Sequence, residues 1–290
     1  MKKIILRSAQ FLLIALFLTT CGERRAAEQN EETLAVTRDW KLGIAVWTFH
    51  TFGLPAALEK IDSAGVGYIE VPTFSKSGPD LNDSLIGDLS PAGIEKVKAL
   101  VTRHNLTIES LYLAGGKTVD SWKKQFDKAK ELGATFVTAE PPITMWDEID
   151  SLAGIYGMKV AIHEHWKGAS AYWDPDSVLA AIKNHPNFGA CADLGHWPKS
   201  GVDPLEGIKK LEGHIIAIHL KDIAAFNNPN LKDVPVGTGV VDFPAVFAEL
   251  KKQGFRGPIY IERDAEDLPS NLPSVIQTIR YYNELLSKLK

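Results

Sequence analysis

Disulfides are the first thing this chain cannot rely on. It has two cysteines in 290 residues, Cys21 and Cys191. Cys21 sits beside a leader, which leaves Cys191 without an internal partner. A lone cysteine in an apolar strand is ordinarily a small core residue, so the fold has to be held by its own interior. Runs of basic residues are also missing, and the formal net charge is −4. A protein of that sign without a basic stripe is a poor partner for nucleic acid. No apolar stretch is long enough to remain in a bilayer, since Phe11–Leu18 falls short of the roughly 20 residues a helical span needs. No glycine-rich dinucleotide fingerprint follows the first strand-like run, and no histidine occurs between His50 and His104.

The N-terminus reads as an address. Lys2, Lys3 and Arg7 precede the apolar core Phe11-Leu-Leu-Ile-Ala-Leu-Phe-Leu18, the order of a secretory signal. Leu18-Thr-Thr-Cys21 resembles the lipobox of bacterial lipoproteins, which implies cleavage before Cys21 and lipidation of its thiol. Thr20 departs from the Gly, Ala or Ser usual there. The expected organisation is a signal peptide over 1–20, a polar tether over 21–40 and a single catalytic domain over 41–290,. Cleavage removes three positive charges and lowers the formal charge from −4 to −7. The expected location is the bacterial cell envelope, periplasm-facing or at the surface, with the membrane reached only through the lipid. The oligomeric state is left open.

From Leu42 onward, short β-type runs alternate with helical stretches. Strands are expected at 42–49, 67–71, 106–113, 135–140, 159–165, 188–193, 214–220 and 258–262,. Helices are expected at about 54–64, 91–104, 120–132, 146–156, 176–184, 203–211, 243–253 and 273–288,. Ser90-Pro91 combines an N-cap with a first-turn proline, Asp242 is placed to cap its helix, and Gly133, Gly157 and Gly254 stand where helices close. Eight strand–helix pairs in about 250 residues give an α/β fold, a (β/α)8 TIM barrel. A doubly wound sheet is the competitor and would need a reversal of strand order. The stretch 222–242 lacks periodicity, and loops of that length are often functional. Within it, Val236-Gly-Thr-Gly-Val240 reads equally as a tight turn or a phosphate cradle.

Four of the apolar runs end in metal-friendly side chains. Val160-Ala-Ile-His-Glu-His165 closes on imidazoles, and Gly189-Ala-Cys-Ala-Asp193 on a carboxylate with His196 three residues on. Ile215-Ile-Ala-Ile-His219 and Pro258-Ile-Tyr-Ile-Glu262 close on an imidazole and a carboxylate. Barrel enzymes gather function at the C-terminal strand ends. Side chains alternate across a strand, so Asp193 shares a face with Cys191, His219 with Ala217 and Ile215, Glu262 with Tyr260, and His163 with His165 and Ala161. Each polar end group is therefore in phase with residues suited to a barrel interior, where a charge is costly unless it is paired or ligates a metal. A mixed carboxylate–imidazole set suits one divalent ion such as Mn, Zn, Co or Mg.

Asp193-Leu-Gly-His196, His219-Leu-Lys-Asp222, Val234-Pro-Val-Gly-Thr-Gly and Ile261-Glu262 together resemble the xylose isomerase-like barrels. That group holds sugar isomerases, ketose 3-epimerases, inosose dehydratases and endonuclease IV repair enzymes. The resemblance runs from about Leu42 to the C-terminus. It implies that Asp193, His219 and Glu262 hold the metal and that His196 meets substrate or a second metal. Ketose epimerases carry a proton-moving glutamate at the end of a middle strand. Here the in-phase residue is His163, and Glu164 is one position out of phase. Glu140, ending the fourth strand, is the substitute fourth ligand, with His163 as the alternative.

What survives this departure is proton abstraction beside a metal-polarised carbonyl and hydroxyl pair. Glu262 or His163 serves as base, while His165 and Lys221 stabilise or protonate the oxygens. Trp47, Trp166 and Trp197 lie near strand ends and suit the C–H faces of a small carbohydrate. Glu70 and Glu109 are supporting groups only. Three functions are carried forward: a sugar isomerase or epimerase-like enzyme, a lyase or dehydratase acting on a keto-sugar or 3-keto-glycoside, and a non-catalytic sugar-binding lipoprotein. The DNA-repair branch is excluded because its cluster needs histidines from early strands.

Overall fold

The computed structural model describes Thr37 and residues 39–289. The signal peptide, the lipobox with Cys21 and nearly all of the tether lie outside them. Eight parallel strands close into a barrel: β1 (Lys41–Ala45), β2 (Tyr68–Pro72), β3 (Thr107–Tyr112), β4 (Phe136–Ala139), β5 (Val160–His163), β6 (Phe188–Asp193), β7 (Ile215–Leu220) and β10 (Pro258–Ile261). Their order around the barrel follows the sequence, and β10 closes it against β1 through Lys41–Pro258 to Ile44–Ile261. A two-stranded antiparallel ribbon, β8 (Asp222–Ile223) and β9 (Asp233–Val234), sits in the long loop after β7.

The helices are α1 (Leu54–Ala64), α2 (Pro91–Arg103), α3 (Val119–Leu132), α4 (Trp146–Tyr156), α5 (Pro175–Ile182), α6 (His196–Lys199), α7 (Pro204–Lys210), α8 (Phe243–Lys252) and α9 (Leu272–Lys288). Local chemistry sets their ends as the sequence suggests. Ser90 Oγ accepts from Gly93 N at 3.3 Å, and Asp242 Oδ1 from Ala245 N at 3.1 Å. Gly133 and Gly157 close α3 and α4 at φ 82° and 65°, a region where a Cβ is penalised.

Two apolar layers result. The larger lies between strands and helices and includes Ile44, Leu58, Phe126, Ile162, Phe247 and Val275. The smaller fills the barrel itself and consists of Ala45, Phe136, Ala161, Cys191, Ala217 and Tyr260. Ala161, Cys191, Ala217 and Tyr260 are the residues whose alternation places His163, Asp193, His219 and Glu262 inward. Small side chains dominate this interior, and Gly43 shows how tight it is: a Cβ there would meet Tyr68 O at 2.6 Å and the Tyr260 ring at 2.9 Å.

Register slips twice, between β2 and β3 beside Glu109 and low on β7. The register between β6 and β7 slips between Ala190 and Cys191, so Ala190 faces Ile215 while Cys191 faces Ala217. Ile216, not Ile215, therefore packs on the barrel-interior cluster, as an extra residue at a bulge requires. Strand one is also shorter than expected, because Val46–Phe49 turn into a 3-10 helix after Ala45. The glycine stretch in the long loop is a turn wrapped on the protein's own carboxylate. Asp222 accepts from the N–H groups of Ile223, Gly237, Gly239 and Val241 at 2.8–3.3 Å, which leaves no cradle for phosphate.

Candidate metal centre and active site

The C-terminal mouth of the barrel opens into a cavity of about 550 Å³. At its floor, His163, Asp193, His219 and Glu262 bring one ligating atom each within 4.8 Å of one another, and all four are buried. His163 and Asp193 end β5 and β6, His219 is the last but one residue of β7 and Glu262 directly follows β10, so one structural rule puts them together.

Hydrogen bonding orients each of them. Asp193 Oδ1 accepts from the N–H groups of Gly195 and His196 at 2.9 and 2.8 Å, which turns Oδ2 inward without a hydrogen-bond partner. His163 Nε2 is also without one and lies 3.4 Å from that Oδ2. His219 Nε2 lies 2.9 Å from Glu70, and its Nδ1 lies 2.9 Å from Glu262 and 3.8 Å from Asp193. With Nε2–H donating to Glu70, Nδ1 faces two carboxylates, an arrangement satisfied by a cation between them, either a proton on that nitrogen or a metal ion.

The protonation states carry the same message. Burial pushes the His163 ring toward the neutral form, yet the neighbouring Asp193 and Glu140 carboxylates outweigh it and raise its pKa to about 9. Burial likewise opposes ionisation of Glu262, and His219 and Lys221 reverse that and hold it below the usual carboxylate range. A buried floor that draws positive charge, with two orphaned ligand atoms 3.4 Å apart, fits a divalent ion bound by two imidazoles and two carboxylates.

Glu140 is not part of this group, contrary to its expected role as fourth ligand. Strand β4 ends at Ala139, and the Glu140 carboxylate is occupied one step outward. It accepts from Tyr112 Oη at 2.9 Å and from Ser170 Oγ, and lies 2.6 Å from His165 Nδ1. His163 stands in its place. Glu164, whose burial raises its pKa well above normal, accepts from Asp193 N at 3.2 Å and is also outside the group.

Above the floor, Lys221 Nζ lies 2.9 Å from Asp264, 3.0 Å from Glu262 and 3.3 Å from Asp193. Burial works against its charge, but these carboxylates hold its pKa well above the ordinary value. His196 donates from Nδ1 to Glu164 O at 2.9 Å and presents Nε2 to Lys221 Nζ at 3.3 Å. Burial and the Lys221 charge lower its pKa to about 4, against the pull of Asp193. His165 lies beyond the end of β5, half-buried, and lines the cavity.

The three tryptophans separate. Trp47 and Trp166 line the cavity. Trp47 donates from Nε1 to Asp264 at 3.0 Å and stacks on His50 with ring centroids 4.5 Å apart. Trp197 does not reach it. Next to the inward His196 on α6, it turns into the layer between barrel and helices, fully buried, with a Gly207 Cβ position 2.8 Å from its ring.

Sequence reasoning undervalued Glu70 and missed Asp264, Tyr112 and Lys199. Asp264 follows Glu262 by two residues, and the alternation already applied to that strand points to it. Glu70, inside β2, accepts from Ser110 Oγ at 2.8 Å, from Thr138 Oγ1 and from His219. Glu109 is not a supporting group of this site: it pairs with Lys41 at 2.5 Å at the opposite end of the barrel.

Comparisons with known proteins agree with this architecture. The family model described as xylose isomerase-like TIM barrel matches residues 58–285. L-ribulose-5-phosphate 3-epimerase UlaE from Salmonella paratyphi C (strain RKS4594) is 39% identical over 84 residues, 29% of this chain and 28% of the relative. The chain thus matches little more than a quarter of that curated relative's length. The crystal structure of an uncharacterized protein from Parabacteroides distasonis ATCC 8503 is 36% identical, covering 87% of this chain and 100% of the other, with a TM-score of 0.66. A xylose isomerase-like TIM barrel protein from Mycobacterium smegmatis, solved in complex with magnesium, shares the fold at 16% identity and a TM-score of 0.68. It covers 86% of this chain and 97% of that one.

Proposed function

This chain belongs to the xylose isomerase-like TIM barrel family, and on that premise we propose that it is a divalent-metal-dependent sugar isomerase or epimerase. The observation that carries the reading is the buried four-residue group with its two orphaned ligand atoms. His163, Asp193, His219 and Glu262 would hold the ion. When bound, the ion would polarise an adjacent carbonyl and hydroxyl pair and acidify the neighbouring C–H.

The remaining work falls to this chain's side chains. Glu262, kept ionised by His219 and Lys221, takes the proton. Lys221 stabilises negative charge developing on the substrate oxygens. His165, three strands round the barrel from Glu262 and oriented by Glu140 at 2.6 Å, returns a proton from the other side. Trp47 and Trp166 supply flat faces for the sugar ring.

The His165–Glu140 pair favours a second reading, elimination from an oxidised sugar. Glu262 would take the C–H proton, a C–O bond at the β-position would break, and the leaving oxygen would receive the His165 proton. One experiment decides among these outcomes. Metal-replete protein is incubated with sugars and keto-glycosides in heavy water, and deuterium uptake is read with product mass. Uptake with unchanged skeleton mass supports isomerisation, and loss of water or an aglycone supports elimination. No exchange in any substrate, or exchange undiminished in E262A, refutes both.

We also propose lipidation at Cys21 and an envelope location, supported by the leader and lipobox. An unmodified mature N-terminus in the mass spectrum would refute this.

A further inference from the structure

Three lysines line the cavity, and their electrostatic situations differ. Lys221 is matched to three carboxylates. Lys232 is exposed at the rim. Lys199, at the end of α6, is only 5% exposed. Its ammonium has no hydrogen-bond acceptor and no ion-pair partner among the described residues, and it lies over the Trp166 ring, 4.5 Å from the centroid. The ammonium faces the cavity without an anion, and an aromatic face balances its charge only in part,.

The nearby acids are committed elsewhere: Asp264 to Lys221 and Trp47, and Glu266 to His50 at 3.3 Å. The backbone fixes the two unpaired lysines to one rim. Pro198 O, beside Lys199, accepts from Asn227 N at 2.9 Å and ties the long loop to α6. On that loop Asp233, next to Lys232, is pinned by Arg263 at 3.3 Å.

We propose that Lys199, assisted by Lys232, forms an oxyanion subsite of this cavity, taking a carboxylate or phosphate substituent on the carbohydrate. This rests on the reading of the cavity as a carbohydrate site. A neutral hydroxyl could accept a hydrogen bond from Lys199, but only an anion also neutralises the unpaired ammonium, with charge on both partners of the bond.

The test is binding, which does not require turnover. The full mature, metal-replete protein is titrated with glucose, glucuronate and glucose 6-phosphate, followed by tryptophan fluorescence and calorimetry, with inorganic phosphate as competitor. At low salt, glucuronate or glucose 6-phosphate is expected to bind about tenfold or more tighter than glucose, with the margin shrinking as salt rises. Whichever anion wins identifies the substituent. K199M should bring the three sugars within about twofold of one another, K199R should retain the preference, and K232M should lower it by a few fold.

K199Q repeats the test if K199M does not fold, and the exposed K232M is safe for folding. Equal binding of all three sugars by the wild-type protein overturns the proposal, as does a preference that persists in K199M or K199Q. Anion preference without C–H exchange would sink the enzymatic reading and leave this one standing. Exchange without anion preference would do the reverse.

Discussion

Glu70 is the residue whose replacement tests the metal-centre geometry most sharply without touching a ligand. In Glu70→Gln the side chain keeps its shape but loses its charge and one of its two acceptor oxygens. Three donors converge on it: Ser110, Thr138 and His219. Hydroxyl groups can reverse their sense, and Ser110 Oγ has Tyr260 Oη 2.9 Å away as an alternative partner. The barrel should therefore lose only about 1–2 kcal/mol. The His219 ring cannot compensate in the same way, because the carboxylate that fixes its tautomer and makes Nδ1 a better donor to a metal is gone. Loss of such an outer carboxylate weakens metal binding by about 10- to 100-fold, or about 1.4–2.8 kcal/mol. Competition between protein and a chromophoric chelator for Zn or Mn measures this directly, with circular dichroism confirming the fold. An affinity within twofold of wild type would refute the claim that His219 is a ligand oriented by Glu70.

Two further substitutions exploit the separation of the tryptophans and of Glu140 from the metal group. Trp197→Ala should cost about 3–5 kcal/mol of stability, as emptying a fully buried ring does, while Trp166→Ala should leave the melting temperature nearly unchanged and raise KM for the sugar. Equal melting points for the two variants would contradict their placement. Glu140→Gln should lower kcat by about 10- to 100-fold, a share of the 10²–10⁴ that a positioned proton donor supplies, with metal content intact. Loss of bound metal in that variant would return Glu140 to the ligand set.

The fold was legible because its signals are redundant. Eight apolar runs, glycine closures such as Gly133 and Gly157, and the caps Ser90 and Asp242 each report a boundary independently of the others. Alternation then located most of the site: from Ala161, Cys191, Ala217 and Tyr260 inside the barrel, it placed His163, Asp193, His219 and Glu262 at one level.

It failed where the chain leaves the strand. Glu140 follows the last residue of β4, and its direction is set by Tyr112, His165 and Ser170, none of which is near it in sequence. Trp197 follows His196 on a helical turn, where neighbouring side chains diverge and two-residue alternation says nothing. The Ile215 misplacement came from a register slip that only pairing with β6 reveals. Glu70 was undervalued for a related reason: it lies within β2, not at its end, and its importance arises from reaching across the barrel to His219.

The central claim is that four buried side chains share one divalent ion. Anomalous diffraction at a Zn or Mn edge, from crystals of the metal-replete protein, tests it most directly. The expected result is a single strong peak bounded by His163 Nε2, an Asp193 oxygen, His219 Nδ1 and a Glu262 oxygen, at ordinary ligand distances of about 2.0–2.2 Å. A peak centred elsewhere, or one that leaves His163 and Asp193 uncoordinated, would contradict it.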